Sequence, residues 1–227
     1  MGLDMYLNRM PRYKDATADT VSTIESYLGY ENNIKNPNSN ARNYTMKEWC
    51  GVDESEVPES DYLNFYKQFY KAYYSDWDTE HQHPWMRIHE EVGYWRKSNQ
   101  IHQWFVDNVQ DGVDDCSYHD EVTKEKLEEL LDICKEILDS SELVEGTIQN
   151  GYRYENGEKI PMMQTGKYIK DPSVAQNLLP TQDGFFFGGT NYDQYYLDDI
   201  KSTIDIITKV LETTNFETEM VYYVSSW

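Results

Sequence analysis

Cysteine is scarce in this chain. Three occur in 227 residues, at positions 50, 116 and 134, and no CxxC pair is present. Odd in number and widely spaced, they exclude a disulfide framework and speak against a structural zinc site, so a reducing cytoplasm is the natural compartment. Basic charge is also scarce, with 20 Lys and Arg against 41 Asp and Glu and a net charge of −21. A protein that neutralises phosphates along DNA or RNA needs a basic surface, so direct nucleic-acid binding is not expected. No run of about 18 apolar residues occurs, which excludes a transmembrane helix. The opening Met1-Gly-Leu-Asp-Met-Tyr6 lacks the basic and apolar regions of a signal peptide. Neither GxSxG, HExxH, a Walker loop nor a glycosidase-like carboxylate pair stands out. The expectation is therefore a protein that is not an enzyme, without a cofactor and without a metal.

What is present is aromatic and acidic. Hydrophobic residues make up 39% and aromatics 15% of the chain, too much for a disordered acidic tail. One domain over 1–227 is expected, with an insertion at 146–172. Residues 2–9 alternate Leu3, Met5 and Leu7 with polar neighbours, the period of a half-buried strand. Residues 17–28 have helical spacing, 29–43 look like loop, and Thr45 to Glu48 fits a capping box opening a short helix. The aromatics of 61–76 predict a helix that could form a subunit interface. Residues 87–109 predict the longest helix, and 123–138 another, with Leu127, Leu130, Leu131, Cys134 and Leu138 on one stripe. Asn156-Gly157 between two strand-like runs predicts a hairpin. Gly184-Phe-Phe-Phe-Gly188 predicts a short buried strand, 193–213 a helix and 217–224 a last strand. Together these give an α+β fold: a small, mostly antiparallel sheet of the N-terminal, GFFFG and C-terminal strands, packed with several helices and carrying an inserted hairpin.

Two segments could carry chemistry. Drawn as a helix, 87–109 places Val92, Tyr94, Trp95, Ile101, Phe105, Val106 and Val109 on one apolar arc, with Asn99 and His102 inside it and Arg96 at its edge. A buried imidazole and carboxamide must find partners. Either the protein supplies them, or they form a pocket wall beside Trp95 suited to a flat heterocycle. The second segment is the exit of the GFFFG strand. Gly188, Gly189 and Thr190, with Thr190 or Asn191 capping the next helix, would leave backbone N–H groups free for a phosphate. Asp111, Asp114, Asp115, Cys116 and His119 are a weaker candidate for a metal, as are His81, His83 and His89.

The blocks MGLDMYL, EVGYWRKSNQIHQWFVDNVQDGVDDC, LLPTQDGFFFGGTNYDQYYLDDI and the closing SSW resemble a family of small proteins of tailed bacteriophages and prophages. Residues about 29–86 and 144–174 lie outside that resemblance. It implies a viral accessory protein in the host bacterial cytoplasm and assigns no residue a role. The leading expectation is a protein that counters bacterial immunity by sequestering a nucleotide-derived signal, using Trp95, Arg96, Asn99, His102, Gly188, Gly189 and Thr190. Trp95 would stack, Arg96 would hold a phosphate, and Asn99 and His102 would read polar edges. A second expectation is an acidic inhibitor that mimics nucleic acid and occupies a basic host defence protein. A third is a metal-dependent nucleotide hydrolase using the acids of 111–119, and a fourth is a homo-oligomeric structural protein.

Overall fold

The alternation at the start of the chain becomes the middle strand of a three-stranded antiparallel sheet. The computed structural model describes residues 2–12, 18–35, 40–57, 89–114, 116, 121–155, 158–184 and 187–227. Strand β1 (Asp4–Pro11) lies between β2 (Glu90–Arg96) and β5 (Glu219–Ser226). Being central, β1 has no free edge, and β5 is buried at six consecutive positions because helices cover both faces of the sheet. On one face Leu3, Met5, Leu7, Trp95, Val221 and Tyr223 meet helices α3 (Asn99–Asn108), α4 (Lys124–Ser140) and α6 (Gln194–Thr213). On the other, Met10, Met220, Tyr222 and Val224 meet Ile24, Tyr27 and Leu28 of α1 (Ala18–Lys35). A second, two-stranded sheet is formed by β3 (Leu143–Glu155) and β4 (Glu158–Ile169). The fold is α+β, as expected.

Several elements follow directly from local chemistry. The Thr45 hydroxyl accepts from Glu48 N–H while Glu48 accepts from Thr45 N–H at 2.8 Å, so the capping box opens α2 (Met46–Cys50), and Gly51 at φ 77° closes it. Helix α4 carries its buried stripe of Leu127, Leu130, Leu131, Cys134 and Ile137, with Thr123 as N-cap. Burial pushes the Cys134 thiol up to about 12, which keeps it protonated and unreactive. The expected hairpin is β3–β4, in which Glu155 pairs with Glu158. A short helix, α5 (Ser173–Leu178), follows it.

Three expectations are corrected. Residues 29–35 continue α1 instead of forming loop, because Tyr27 bonds Glu31 and Asn33 bonds the Gly29 carbonyl one turn away, while Arg42 Nε donates to Ile34 O at 2.8 Å and caps the helix end. The single helix over 87–109 does not form. Its first part is β2, then Lys97 turns at φ 63° and α3 begins at Asn99. The inward residues of β2 are Gly93 and Trp95, a period of two. Gly93 permits close packing, since a Cβ there would stand 2.6 Å from Ile206 of α6. The third strand of the sheet is therefore 90–96 and not GFFFG. Gly184, Phe187 and Gly188 belong to no strand, and Phe185 and Phe186 lie outside the described residues. The aromatic segment 61–76 lies outside them as well, and with it the interface proposed for it. No described helix is long and apolar enough to cross a membrane.

Among the described residues the closest ring pair is Phe105 on Tyr223, with ring centroids 4.1 Å apart and planes 9° from parallel. Both rings are fully buried. Truncating Phe105→Ala removes this stack and leaves a cavity beneath the sheet, so urea titration should read a loss of about 3–5 kcal/mol.

Candidate functional site

The site grows from the turn between β2 and α3. Lys97 holds that turn through its N–H, which donates to Leu3 O at 2.8 Å. Asn99 then reaches across to the 182–189 loop. Its Nδ2 donates to Phe187 O at 3.1 Å and Gly189 O at 2.9 Å, and its Oδ1 accepts from Gln182 N–H at 2.7 Å. The carboxamide is 1% exposed and spends both ends on backbone. Gly188, at φ 100°, lies so near the turn that a Cβ would stand 2.7 Å from Lys97 O. Only glycine fits there without moving one backbone against the other.

Beside this junction lies a cleft of about 630 Å³. Arg96, Lys97, Asp183, Gly188, Gly189, Thr190 and Asn191 form its exposed rim. The bulged part of the hairpin, 149–152, contributes Asn150, Gly151 and Tyr152. Gln100, Asp193, Tyr196 and Asp199 supply the more buried lining. Tyr195 also lines it, with its hydroxyl accepting from Gln164 Nε2 at 2.9 Å.

Asp199 is the most perturbed acid here. Gln100 Nε2 donates to its Oδ2 at 3.2 Å, and Ser98 gives a second hydrogen bond. Burial outweighs both and pushes its carboxyl up to about 6, with the charges of Asp198 and Asp193 acting in the same direction. Asp193 is raised too, mainly by burial, although it accepts from Tyr195 N–H at 2.9 Å and Tyr196 N–H at 3.4 Å.

The sequence-derived site is thus divided. Arg96, Gly188, Gly189 and Thr190 meet at the rim of one cleft. Trp95 does not reach it: the indole is 3% exposed, packs in the core and donates to Thr203 Oγ1 at 2.9 Å. Asn99 serves the loop, one of the two partners a buried carboxamide could have. His102 is held inside the protein, with Nδ1 2.8 Å from the Tyr223 hydroxyl and Nε2 3.1 Å from Asp114 Oδ2. The other oxygen of Asp114 accepts from Trp227 Nε1 at 3.0 Å. The helix following the loop is capped by Asp193, not by Thr190 or Asn191, so its first N–H groups are engaged by a carboxylate and offer no anion site.

Among the lining residues that escaped the sequence reading are Lys97, Tyr152, Tyr195 and Asp199. One signal for Asp199 was available. It sits three residues after Tyr196 and four before Thr203, beside the apolar stripe of α6, where a solvated acid is not expected. Of the metal candidates, Asp114 is engaged by His102 and Trp227, while His81, His83, Asp115 and His119 lie outside the described residues. Among the described residues no group of three His, Cys, Asp or Glu is placed to hold a metal ion. Comparison with protein-family models, curated proteins and solved structures finds no match.

Two outcomes follow for stability. Asn99→Ala orphans two carbonyls and one N–H and should cost about 2–3 kcal/mol in urea titration. Asp199 protonates near pH 6 in the native state and near 3.8 when unfolded. Folding takes up a proton between those values, so the buried charge costs stability above pH 6 and progressively less as pH falls toward 3.8. Asp199→Asn should therefore raise stability by about 1–3 kcal/mol at pH 8 and bring no such gain at pH 4, as followed by denaturant titration at both pH values.

Proposed function

We propose that this protein is a binding protein for a small nucleotide-class ligand, and that sequestration of a nucleotide-derived immune signal in the host bacterial cytoplasm is its role. The observation that carries the reading is the cleft itself. Its volume falls within the range of small-molecule sites, roughly 300–1,000 Å³. Its exposed lining holds two adjacent cations, Arg96 and Lys97, against one carboxylate, Asp183, in a chain of net charge −21. The Arg96 side chain is 58% exposed and its Nε stands 3.8 Å from Asp4, a loose pair that a phosphate can replace. Tyr152 and Tyr195 supply exposed rings for stacking. The viral role comes from the resemblance to phage proteins and the ligand class from the chemistry of the cleft.

The acidic-mimic reading has less support. The outer face of α4 is acidic, but Lys124 pairs with Glu128 at 3.5 Å and Lys126 with Glu129 at 2.8 Å, so the negative face is interrupted by cations.

Isothermal titration against 5′-mononucleotides, 3′,5′-cyclic nucleotides and cyclic ADP-ribose isomers tests the reading. A dissociation constant below about 10 µM for at least one is expected, with the ligand recovered unchanged. Arg96→Ala should weaken that binding about tenfold, as expected for one charge-assisted contact at a partly exposed site. No binding tighter than about 10 µM across the panel would overturn the reading, and turnover of the bound ligand would convert it into an enzyme.

A further inference from the structure

The cleft mixes two kinds of charge. Arg96 and Lys97 at the mouth suit a phosphate, whereas the lining carboxylates, the exposed Asp183 and the more buried Asp193 and Asp199, repel one. Asp199 is the telling case. Its hydrogen bonds come from Gln100 and Ser98, which are neutral, and no lysine or arginine among the described residues pairs with it. A carboxylate offers about four acceptor positions, so two donors leave capacity for a guest. A partly buried anion without a cation is costly and gains most from a ligand that brings N–H donors in pairs.

We propose that Asp199 reads the Watson–Crick edge of a guanine-type base, while the phosphate of the same ligand stays at the Arg96–Lys97 rim. The inference rests on the nucleotide reading above. Guanine places N1–H and the 2-amino group side by side, two donors at the spacing of two carboxylate oxygens. Adenine and cytosine each turn a ring-nitrogen lone pair toward the same place, which a carboxylate repels. Uracil offers one N–H between two carbonyls. Hypoxanthine keeps N1–H and lacks the amino group. The neighbouring aromatic is placed to help. Tyr195 stands four residues before Asp199 on α6, hence on the same helix face, lines the cleft, and is fixed through its hydroxyl by Gln164. A base stacked on that ring would present its edge to the carboxylate one turn further along.

The test is titration calorimetry at pH 7.5 with the 5′-monophosphates and 3′,5′-cyclic monophosphates of guanosine, inosine and adenosine, on the full chain and on Asp199→Asn. The guanosine probe is expected to bind about tenfold tighter than its inosine counterpart and about a hundredfold tighter than adenosine, the range for one and two charge-assisted hydrogen bonds. Asp199→Asn should remove most of that preference, with circular dichroism showing an unchanged fold. Equal or tighter binding of the adenosine probe, or a guanosine preference that survives in Asp199→Asn, would overturn the inference and leave the nucleotide reading standing. Failure of every nucleotide to bind below about 10 µM would remove the nucleotide reading and this inference together.

Discussion

A single carboxamide joins the two halves of the cleft. Asn99 stands at the first position of α3, two residues after the left-handed Lys97, and bonds three backbone groups of a loop more than eighty residues away in sequence. Every polar atom of the side chain is thereby used, and the carboxamide itself is buried, where a missing partner is expensive. The loop cannot drift from the turn without orphaning several groups at once. Gly188 sets the closeness of the approach and Asn99 sets its register. The rim positions Arg96, Lys97, Gly188 and Gly189 face one space because of that pair of constraints.

The sequence blocks rich in Trp, Asn, His and Phe come together without forming a pocket wall because their polar atoms are spent on one another. Asn99 meets Phe187 and Gly189, His102 packs edge-on against Phe187 at 5.3 Å, Phe187 packs against Trp227, and Trp227 returns to Asp114, the partner of His102. Aromatic residues mixed with planar polar groups describe a nucleotide pocket and a buried hydrogen-bond network equally well by composition. What separates them is whether the polar atoms end on the protein, and that depends on long-range pairing that no local pattern encodes.

Legibility follows the same division. Elements with a strong local cause were readable: the Thr45 capping box, the leucine stripe of α4, the stripe of α6 with its start near Asp193, the alternation of β1 and the hairpin. Strand β2 was not, because Val92, Tyr94 and Trp95 fit a helical arc as well as a strand, and pairing with β1 decides between them. Gly93 was the neglected sign, since a glycine is a poor residue for the middle of a helix and a good one where another element packs closely. At the site, the rim was legible because cations and glycines are rare here. The interior was not, because one more aspartate in a chain with 41 acids looks like surface.

Asp199, a carboxylate placed beside the core of a strongly acidic protein, meets unfavourable burial and unfavourable neighbours, Asp193 and Asp198, at the same time. An asparagine would keep one acceptor oxygen for the Gln100 and Ser98 donors without the charge. Stability alone therefore favours the amide, and the acid needs a reason of another kind. The surrounding field narrows what that reason can be. Two exposed cations, Arg96 and Lys97, and three carboxylates, Asp183, Asp193 and Asp199, line the same cleft, a mixed field unfavourable to a simple anion and to a simple cation alike. A molecule that carries donors at one end and negative charge at the other is matched to it, and the long-range repulsion from a −21 chain is overcome only within about a Debye length of Arg96 and Lys97, close to 10 Å. Selectivity for such a molecule arises from that polarity as much as from the shape of the walls.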